Sequence, residues 1–281
     1  MSLATELGVP VSQITEESYR PRYNIAPTNR HWIVRTEYED REALRARWGL
    51  INHWAKDPKI GYRQINARAE TLEKRPAFRD AFKKRRCVVP ADGFFEWAGP
   101  KGQRQPIWFH RSDGGLLLFA GLYESWQPEP GDWQPTFTII TTDANAVLEP
   151  VHNRMPVILP EEAVDEWLYS RRDDPTALKG LLVPAADDLL VGTPVSPRVN
   201  SIKHDDPACL EPLLKVCGTV AGEGCSLAWF HPKLCASGAT VFSACSGVNP
   251  FASTLTVPSR RCSSPRTMTK GSARTSDRCR S

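Results

Sequence analysis

The sequence predicts an α+β fold: a single domain with a curved, mainly antiparallel β core and a few flanking helices. Two observations carry this expectation. Short aromatic and β-branched segments recur between breaks that contain Gly or Pro, as the strands of a tightly connected sheet do. Helical spacing is confined to short stretches that fall between those strands, which fits helices packed around a sheet. A third observation bounds the domain, because beyond Leu214 the chain shows neither the strand period nor the helix period.

Taken in order, residues 2–8 have helical spacing, with Leu3 and Leu7 on one face and Gly8 as a stop. Residues 23–28 (YNIAPT) read as a loop fixed by Pro27. The run HWIVRTEY from His31 alternates like a strand, as does the segment ending at Trp48 and Leu50. Residues 76–82 space their apolar side chains for a helix, and residues 86–90 lead into a strand and a turn at Asp92-Gly93. Further strands are expected at 106–110, 116–123 and 136–142, and a helix at 161–170 that buries Val164 and Leu168.

With 281 residues and 41% hydrophobic content, the chain holds enough apolar surface for one catalytic domain. That domain is expected at 1–214. Residues 215–281 are expected to be a disordered tail, since Ser, Thr, Gly, Cys and Arg accumulate there with too little patterned apolar surface to offset the ordering entropy. The tail carries nine Lys/Arg against two acidic residues, which leaves 27 basic and 30 acidic residues in the domain. The formal charge of +4 therefore misrepresents the domain, and any nucleic-acid binding by it needs a local basic patch.

Of the eight cysteines, Cys87 and Cys209 stand alone and the other six fall between Cys217 and Cys279. No pair has zinc-site spacing, so neither a metal nor a cofactor is expected. The first residues lack the basic start and apolar run of an export signal, and no apolar stretch has membrane-spanning length. A cytoplasmic protein with reduced thiols and no membrane partner is the plain reading.

Three separated motifs embed polar residues among apolar ones. In INARAET, Asn66 and Arg68 lie two apart, so an extended segment puts both on one face with Ile65 and Ala67 on the other. A carboxamide donor beside a guanidinium fork suits an aldehyde oxygen next to a phosphate. The alternative is a surface strand whose Arg68 pairs with Glu70 or Glu73. Glu96 sits in GFFEW, where aromatic neighbours would desolvate its carboxyl and raise its pKa for acid/base work; the alternative is a solvated Glu on an edge strand. His152, in HNRMP, brings an imidazole that titrates where a proton must be taken and returned, or else serves as a hydrogen-bonded structural residue. Arg154 of the same motif suits a phosphate or a backbone carbonyl.

Trp54 lies in a polar segment and could stack on an unpaired base, whereas the other domain tryptophans, Trp133 among them, read mostly as core. Arg22, Arg63, Arg68, Arg75, Arg79, Lys83, Lys84, Arg85 and Arg86 supply positive charge for a groove along a sugar-phosphate backbone, although the run from Lys83 to Arg86 also suits a solvated helix end.

Together PRYNIAPT, RWGLINHWAKD, INARAET, RRCVVPADGFFEW, HNRMP and PVSPRVNSIKHDDP resemble the abasic-site processing family, the SOS-response-associated peptidases (SRAP), from about Arg20 to Pro212. The resemblance implies a single α+β domain, acting as a monomer in the cytoplasm and on the nucleoid after DNA damage. It implies binding to single-stranded DNA and a covalent link to abasic sites. In that family a cysteine directly after the initiator Met becomes the mature N-terminus, and its amine and thiol capture the sugar aldehyde as a thiazolidine. By motif matching, Asn66 would hold the sugar oxygen and Arg68 the neighbouring phosphate. Glu96 would shuttle protons at the amine, and His152 would assist ring opening and reversal. Position 2 is Ser2 here, and the strand that should carry the cysteine is missing; either the written start is internal, which is the favoured expectation, or this is a variant without the thiol. Two other readings are a non-covalent single-strand binder and a peptidase acting on other proteins; for the last, no Ser/His/Asp or Cys/His arrangement of suitable spacing is found.

Overall fold

In a computed structural model, residues 3–15, 18–37, 40–169, 175–213 and 254–256 are described. Ser2 and nearly all of the expected tail lie outside these residues. A short helix α1 (Leu3–Leu7) opens the fold and Gly8 ends it with φ +64°, the left-handed backbone that favours glycine. Strands β1 (Arg30–Glu37) and β2 (Asp40–Trp48) form an antiparallel hairpin. A long connection then leads to the short strand β3 (Asn66–Arg68) and helix α2 (Pro76–Lys84). Pro76 occupies the first turn of α2, where a missing N–H costs nothing, and Phe78, Ala81 and Phe82 form its buried face.

Strands β4 (Arg86–Ala91), β7 (Leu117–Trp126) and β8 (Gln134–Asp143) continue the first sheet in the order β2-β1-β4-β7-β8-β3. A parallel contact between β2 and β8, Arg47 opposite Thr136 and Trp48 opposite Phe137, closes the sheet into a barrel. Closure removes the free edges that a curled sheet would otherwise expose. The sheet is thus mainly antiparallel, as expected, with parallel pairing where β2 and β3 meet β8.

Side chains alternate between two cores, as period-two strands require. One face of the barrel strands, with Val34, Val88, Ala120 and Ile140, packs under the helices against Phe78, Phe82, Trp167 and Leu168. Here α3 (Val164–Tyr169) follows a 3-10 turn at Glu161–Ala163, and α4 (Pro175–Gly180) adds Leu178. The other face, with Ile33, Trp48, Val89, Phe119 and Phe137, meets a second sheet. Each fully buried side chain of this size contributes about 1.5–3 kcal/mol.

The second sheet pairs β5 (Gly93–Ala98), β6 (Gln105–Arg111) and β10 (Leu190–Pro194) antiparallel. The expected turn at Asp92-Gly93 is in fact a bend at Asp92 between β4 and β5, where the chain passes from one sheet to the other. On the far edge of β5, β11 (Thr254–Thr256) pairs antiparallel, Thr254 opposite Phe95. These three residues of the expected disordered tail are therefore a strand. Strand β9 (Arg154–Pro156) pairs with β8, and the residues after it insert between β7 and β8: Val157 N donates to Ile140 O and Leu159 N to Leu118 O.

The motif around Asn24 is explained by a contact distant in sequence. Asp205 Oδ1 accepts the backbone N–H of Tyr23 at 2.6 Å and of Asn24 at 2.9 Å, while its other oxygen takes Arg22. The buried Asn24 amide donates back to the carbonyls of Val199, Ser201 and His204. These bonds fold the segment around the 3-10 turns at Pro197–Asn200 and Pro207–Leu210 over Phe95 of the second sheet.

Candidate active site

Strand β8 gathers the first group of residues. On one side β3 runs parallel to it, with Asn66 opposite Ile139 and Arg68 opposite Thr141. Antiparallel β9 pairs with the same stretch, Thr141 opposite Pro156 and Asp143 opposite Arg154. Thr141 thus faces both segments. The Trp48 indole N–H donates to Ile65 O at 2.8 Å, which fixes the entry to β3.

Along β3 the expected division of faces holds: Ile65 and Ala67 are buried, Asn66 is half-buried and Arg68 is exposed. Asn66 Nδ2 is shielded from solvent and has no hydrogen-bond partner among the described residues. A buried amide left in this state costs about 1–3 kcal/mol, and an acceptor that reached it would relieve that cost. Arg68 forms no ion pair among the described residues. The alternative partners are taken elsewhere, Glu70 by Arg154 and Glu73 by Lys179.

Arg154 is nearly buried and its guanidinium is committed. Nη1 donates to Glu70 Oε1 and to Asp143 Oδ1, both at 2.6 Å; Nη2 donates to Glu70 Oε2 at 3.0 Å and to Thr141 O at 2.7 Å. The hydrogen bond from Arg154 holds the Glu70 carboxyl below the usual carboxylate range. This arrangement clamps the turn that follows β3 to β8 and β9.

His152 is half-buried beside the clamp. Its Nδ1 lies 2.9 Å from the Arg154 backbone N–H, which can only donate, and 3.1 Å from the Arg154 carbonyl. Accepting that N–H leaves the proton of a neutral ring on Nε2. Burial lowers the His152 pKa below its ordinary value; the nearby Arg154 carbonyl opposes this, and the charges of Arg154 and Arg104 add to it. The imidazole is accordingly neutral at neutral pH.

Glu96 comes from the second sheet. It is 7% exposed, so the solvated-edge alternative does not hold. Alternation sets it on the face of Phe94, opposite Phe95 and Trp97. Phe94 stacks on Phe109 and meets Phe119 edge-on, within the core that also holds Ile65, Leu148 and Met155. Glu96 therefore extends from the same core that carries the neighbours of Asn66 and His152. Arg104, whose charge acts on His152, directly precedes the strand that pairs with β5.

Trp54 lies apart from this group, on the connection between β2 and β3, and is 55% exposed. It lines an open groove of about 590 Å³ with Ala55, Lys56, Asp57, Lys59, Ile60 and Arg63. Part of the wider basic set is corrected by the structure. Arg86 is buried, donating to the carbonyls of Trp167, Phe82 and Lys83, Arg22 is paired with Asp205 and Arg85 with Glu124. Trp133 is 60% exposed and is not a core residue. The residue that sequence reasoning passed over is Glu124, buried on β7 between Arg85 and His53; the pattern LYESW, with an acid between Leu122 and Trp126 on one strand face, was its only signal. Among the described residues no helix is long and apolar enough to cross a membrane.

Comparison with known proteins identifies relatives of the chain and of its fold. The chain is 42% identical over 200 residues to the abasic site processing protein YoqW of Bacillus subtilis, covering 70% of this chain and 89% of that protein. It is 33% identical over 233 residues to the abasic site processing protein HMCES of Gallus gallus, covering 71% and 68%. A crystal structure of a Bacteroides thetaiotaomicron protein is similar at a TM-score of 0.59 and 28% identity, covering 66% of this chain and 82% of that one. One from Bordetella bronchiseptica gives 0.54 and 31%, covering 60% and 85%. The profile described as SOS response associated peptidase (SRAP) matches residues 2–202, and the chain belongs to that family.

Proposed function

We infer that this protein processes abasic sites in single-stranded DNA and that a form beginning with Cys after the initiator Met links to them covalently. The observation that carries this reading is the Asn66 Nδ2 atom, buried and without a partner among the described residues, on the same face of β3 as the Arg68 guanidinium, which forms no ion pair among them. An amide donor next to a free cation fits a sugar oxygen flanked by a phosphate. Family membership supports the substrate class, through relatives whose names state it.

In this reading the opened deoxyribose presents an aldehyde carbon. The N-terminal amine adds to that carbon, and protonation of the resulting hydroxyl, with Glu96 moving the proton, expels water and leaves an iminium. The cysteine sulfur then adds to the same carbon as its proton departs, closing a thiazolidine ring. Asn66 holds the sugar oxygen, Arg68 the phosphate, and neutral His152 assists ring opening. Arg154 acts through the clamp that positions β3, and Trp54 stacks on a neighbouring base. No described thiol substitutes for the N-terminal one, because Cys87 and Cys209 are both buried and burial raises each pKa, which suppresses the thiolate.

The test is incubation with an oligonucleotide bearing an abasic site, followed by a denaturing gel. The chain beginning Met-Ser is expected to bind without a heat-stable shifted band. A form with a Met-Cys-Gly-Arg start is expected to give the band. Failure of that form to cross-link, or no binding to abasic single strands by either form, overturns the proposal.

A further inference from the structure

Both sequence neighbours of the exposed Trp54 lie against one face of β7. His53 Nδ1 lies 3.6 Å from Glu124 Oε2, and the Ala55 carbonyl accepts the Trp126 indole N–H at 2.8 Å. Glu124 and Trp126 are two residues apart on a strand, so they point the same way. Neither anchor is loose: Glu124 is 2% exposed, Trp126 is 8% exposed, and Arg85, which caps the C-terminus of α2, holds Glu124 Oε1 at 2.5 Å.

The upstream side of the turn is fixed as well. Asn52 Nδ2 donates to Ala77 O in α2, and the Asn52 carbonyl accepts the Ala55 N–H, each at 2.8 Å. Ile51 N donates to the buried Thr136 hydroxyl of β8 at 2.9 Å. The backbone that carries Trp54 is thus bonded to α2, β7 and β8, while the indole itself stays open to solvent above a groove with Lys56, Lys59 and Arg63. Exposing a large aromatic ring on a fixed backbone lowers the ordering cost of stacking something against it.

We propose that Glu124 and Trp126 are positioning residues that hold Trp54 as a preformed platform for an unpaired nucleobase, with the groove cations tracking the adjoining phosphates. This rests on the single-strand reading given above. Glu124, held by Arg85, acts through its contact with His53, and Trp126 acts through the Ala55 carbonyl. Buried as they are, the two do not touch the nucleic acid. Their effect on affinity must therefore pass through Trp54.

That requirement sets the experiment: fluorescence anisotropy of the full chain with a labelled single-stranded oligonucleotide lacking any abasic site. Trp54→Ala is expected to weaken binding about tenfold, as loss of one base stack does. Glu124→Gln and Trp126→Phe are each expected to weaken it several-fold, and neither is expected to add a loss when combined with Trp54→Ala. Trp126→Phe keeps an aromatic ring in place and removes the N–H with the rest of the indole, so its loss in the presence and absence of Trp54 decides the matter if Glu124→Gln fails to fold. Equal losses in the presence and absence of Trp54 mean a general structural role and overturn the proposal, as does unchanged binding by both β7 variants while Trp54→Ala is impaired. Absence of binding by the wild type overturns the single-strand reading itself.

Discussion

Arg154 forks both terminal guanidinium nitrogens onto the Glu70 carboxylate, Nη1 to Oε1 at 2.6 Å and Nη2 to Oε2 at 3.0 Å. Glu70 stands two residues beyond Arg68 and Arg154 two beyond His152, so this pair couples the strand bearing the amide and the free cation to the loop bearing the imidazole. A planar fork fixes orientation as well as distance, which an ammonium does not. Arg154→Lys is therefore expected to slow cross-link formation about tenfold through misplacement of β3. Glu70→Gln is expected to give a similar but smaller loss, since the amide oxygen still accepts one N–H. Rates measured for the cysteine-bearing form on an abasic oligonucleotide check both; full activity in Arg154→Lys would show that the clamp does not position the site.

Asn66 separates stability from activity in opposite directions. Its Nδ2 has no partner among the described residues, so Asn66→Ala deletes an uncompensated buried donor and is expected to leave stability within about 1 kcal/mol of wild type or to raise it. The same change removes the group assigned to the sugar oxygen, and the cross-linking rate is expected to fall about 100-fold, the usual cost of losing one preorganised donor. Chemical denaturation and gel kinetics on the same preparations make the comparison. A variant that is both destabilised and fully active contradicts the assignment.

Much of this was legible locally. The face division of β3 follows from period-two alternation, and the same alternation sets Glu96 on the face of Phe94, which meets the core around Phe109 and Phe119. What local pattern does not contain is long-range pairing. The barrel closes through Arg47–Thr136 and Trp48–Phe137, contacts that no nearby residue announces. The basic run from Lys83 to Arg86 reads as a solvated helix end, yet its last member is buried because Trp167, Phe82 and Lys83 offer it carbonyls. Arg154 likewise suits a phosphate in sequence and meets Glu70 only in the fold.

His31 gives the domain a pH dependence of defined sign. It is 2% exposed, its Nε2 lies 2.7 Å from Pro90 O, and burial lowers its pKa from 6.5 to about 4 against the effect of that bond. Between these values the unfolded chain binds a proton that the folded chain does not. The stability held above about pH 6.5 is consequently lost as pH falls toward about 4, by up to about 3 kcal/mol. Urea midpoints measured from pH 7 to 4.5 are expected to drop more steeply for wild type than for His31→Gln. Parallel slopes would mean that other groups govern the acid limb.

His152 shifts in the same direction, chiefly through burial, so its neutral form persists to lower pH than an ordinary imidazole. In the cysteine-bearing form the acid limb of the cross-linking profile is expected below the usual histidine range and is expected to disappear in His152→Ala, with a slower, flatter profile remaining. An unchanged limb in that variant would reassign the titrating group.

Gly93 of β5 lies against Trp108 and Phe109 of β6. A Cβ built there would fall on the Trp108 indole nitrogen and within 2.5 Å of the Phe109 carbonyl oxygen. The second obstacle is backbone in the strand paired with β5, so it cannot swing aside as a flexible side chain would. Gly93→Ala is therefore expected to cost about 1–3 kcal/mol and to displace the strand that carries Glu96 three residues further on. Combining it with Trp108→Ala removes the indole but leaves the Phe109 carbonyl in place, so only part of the stability and of the cross-linking rate is expected to return. Thermal melts and gel kinetics for the single and double variants make the test, and a Gly93→Ala protein as stable and as fast as wild type would show that the close approach does not constrain the site.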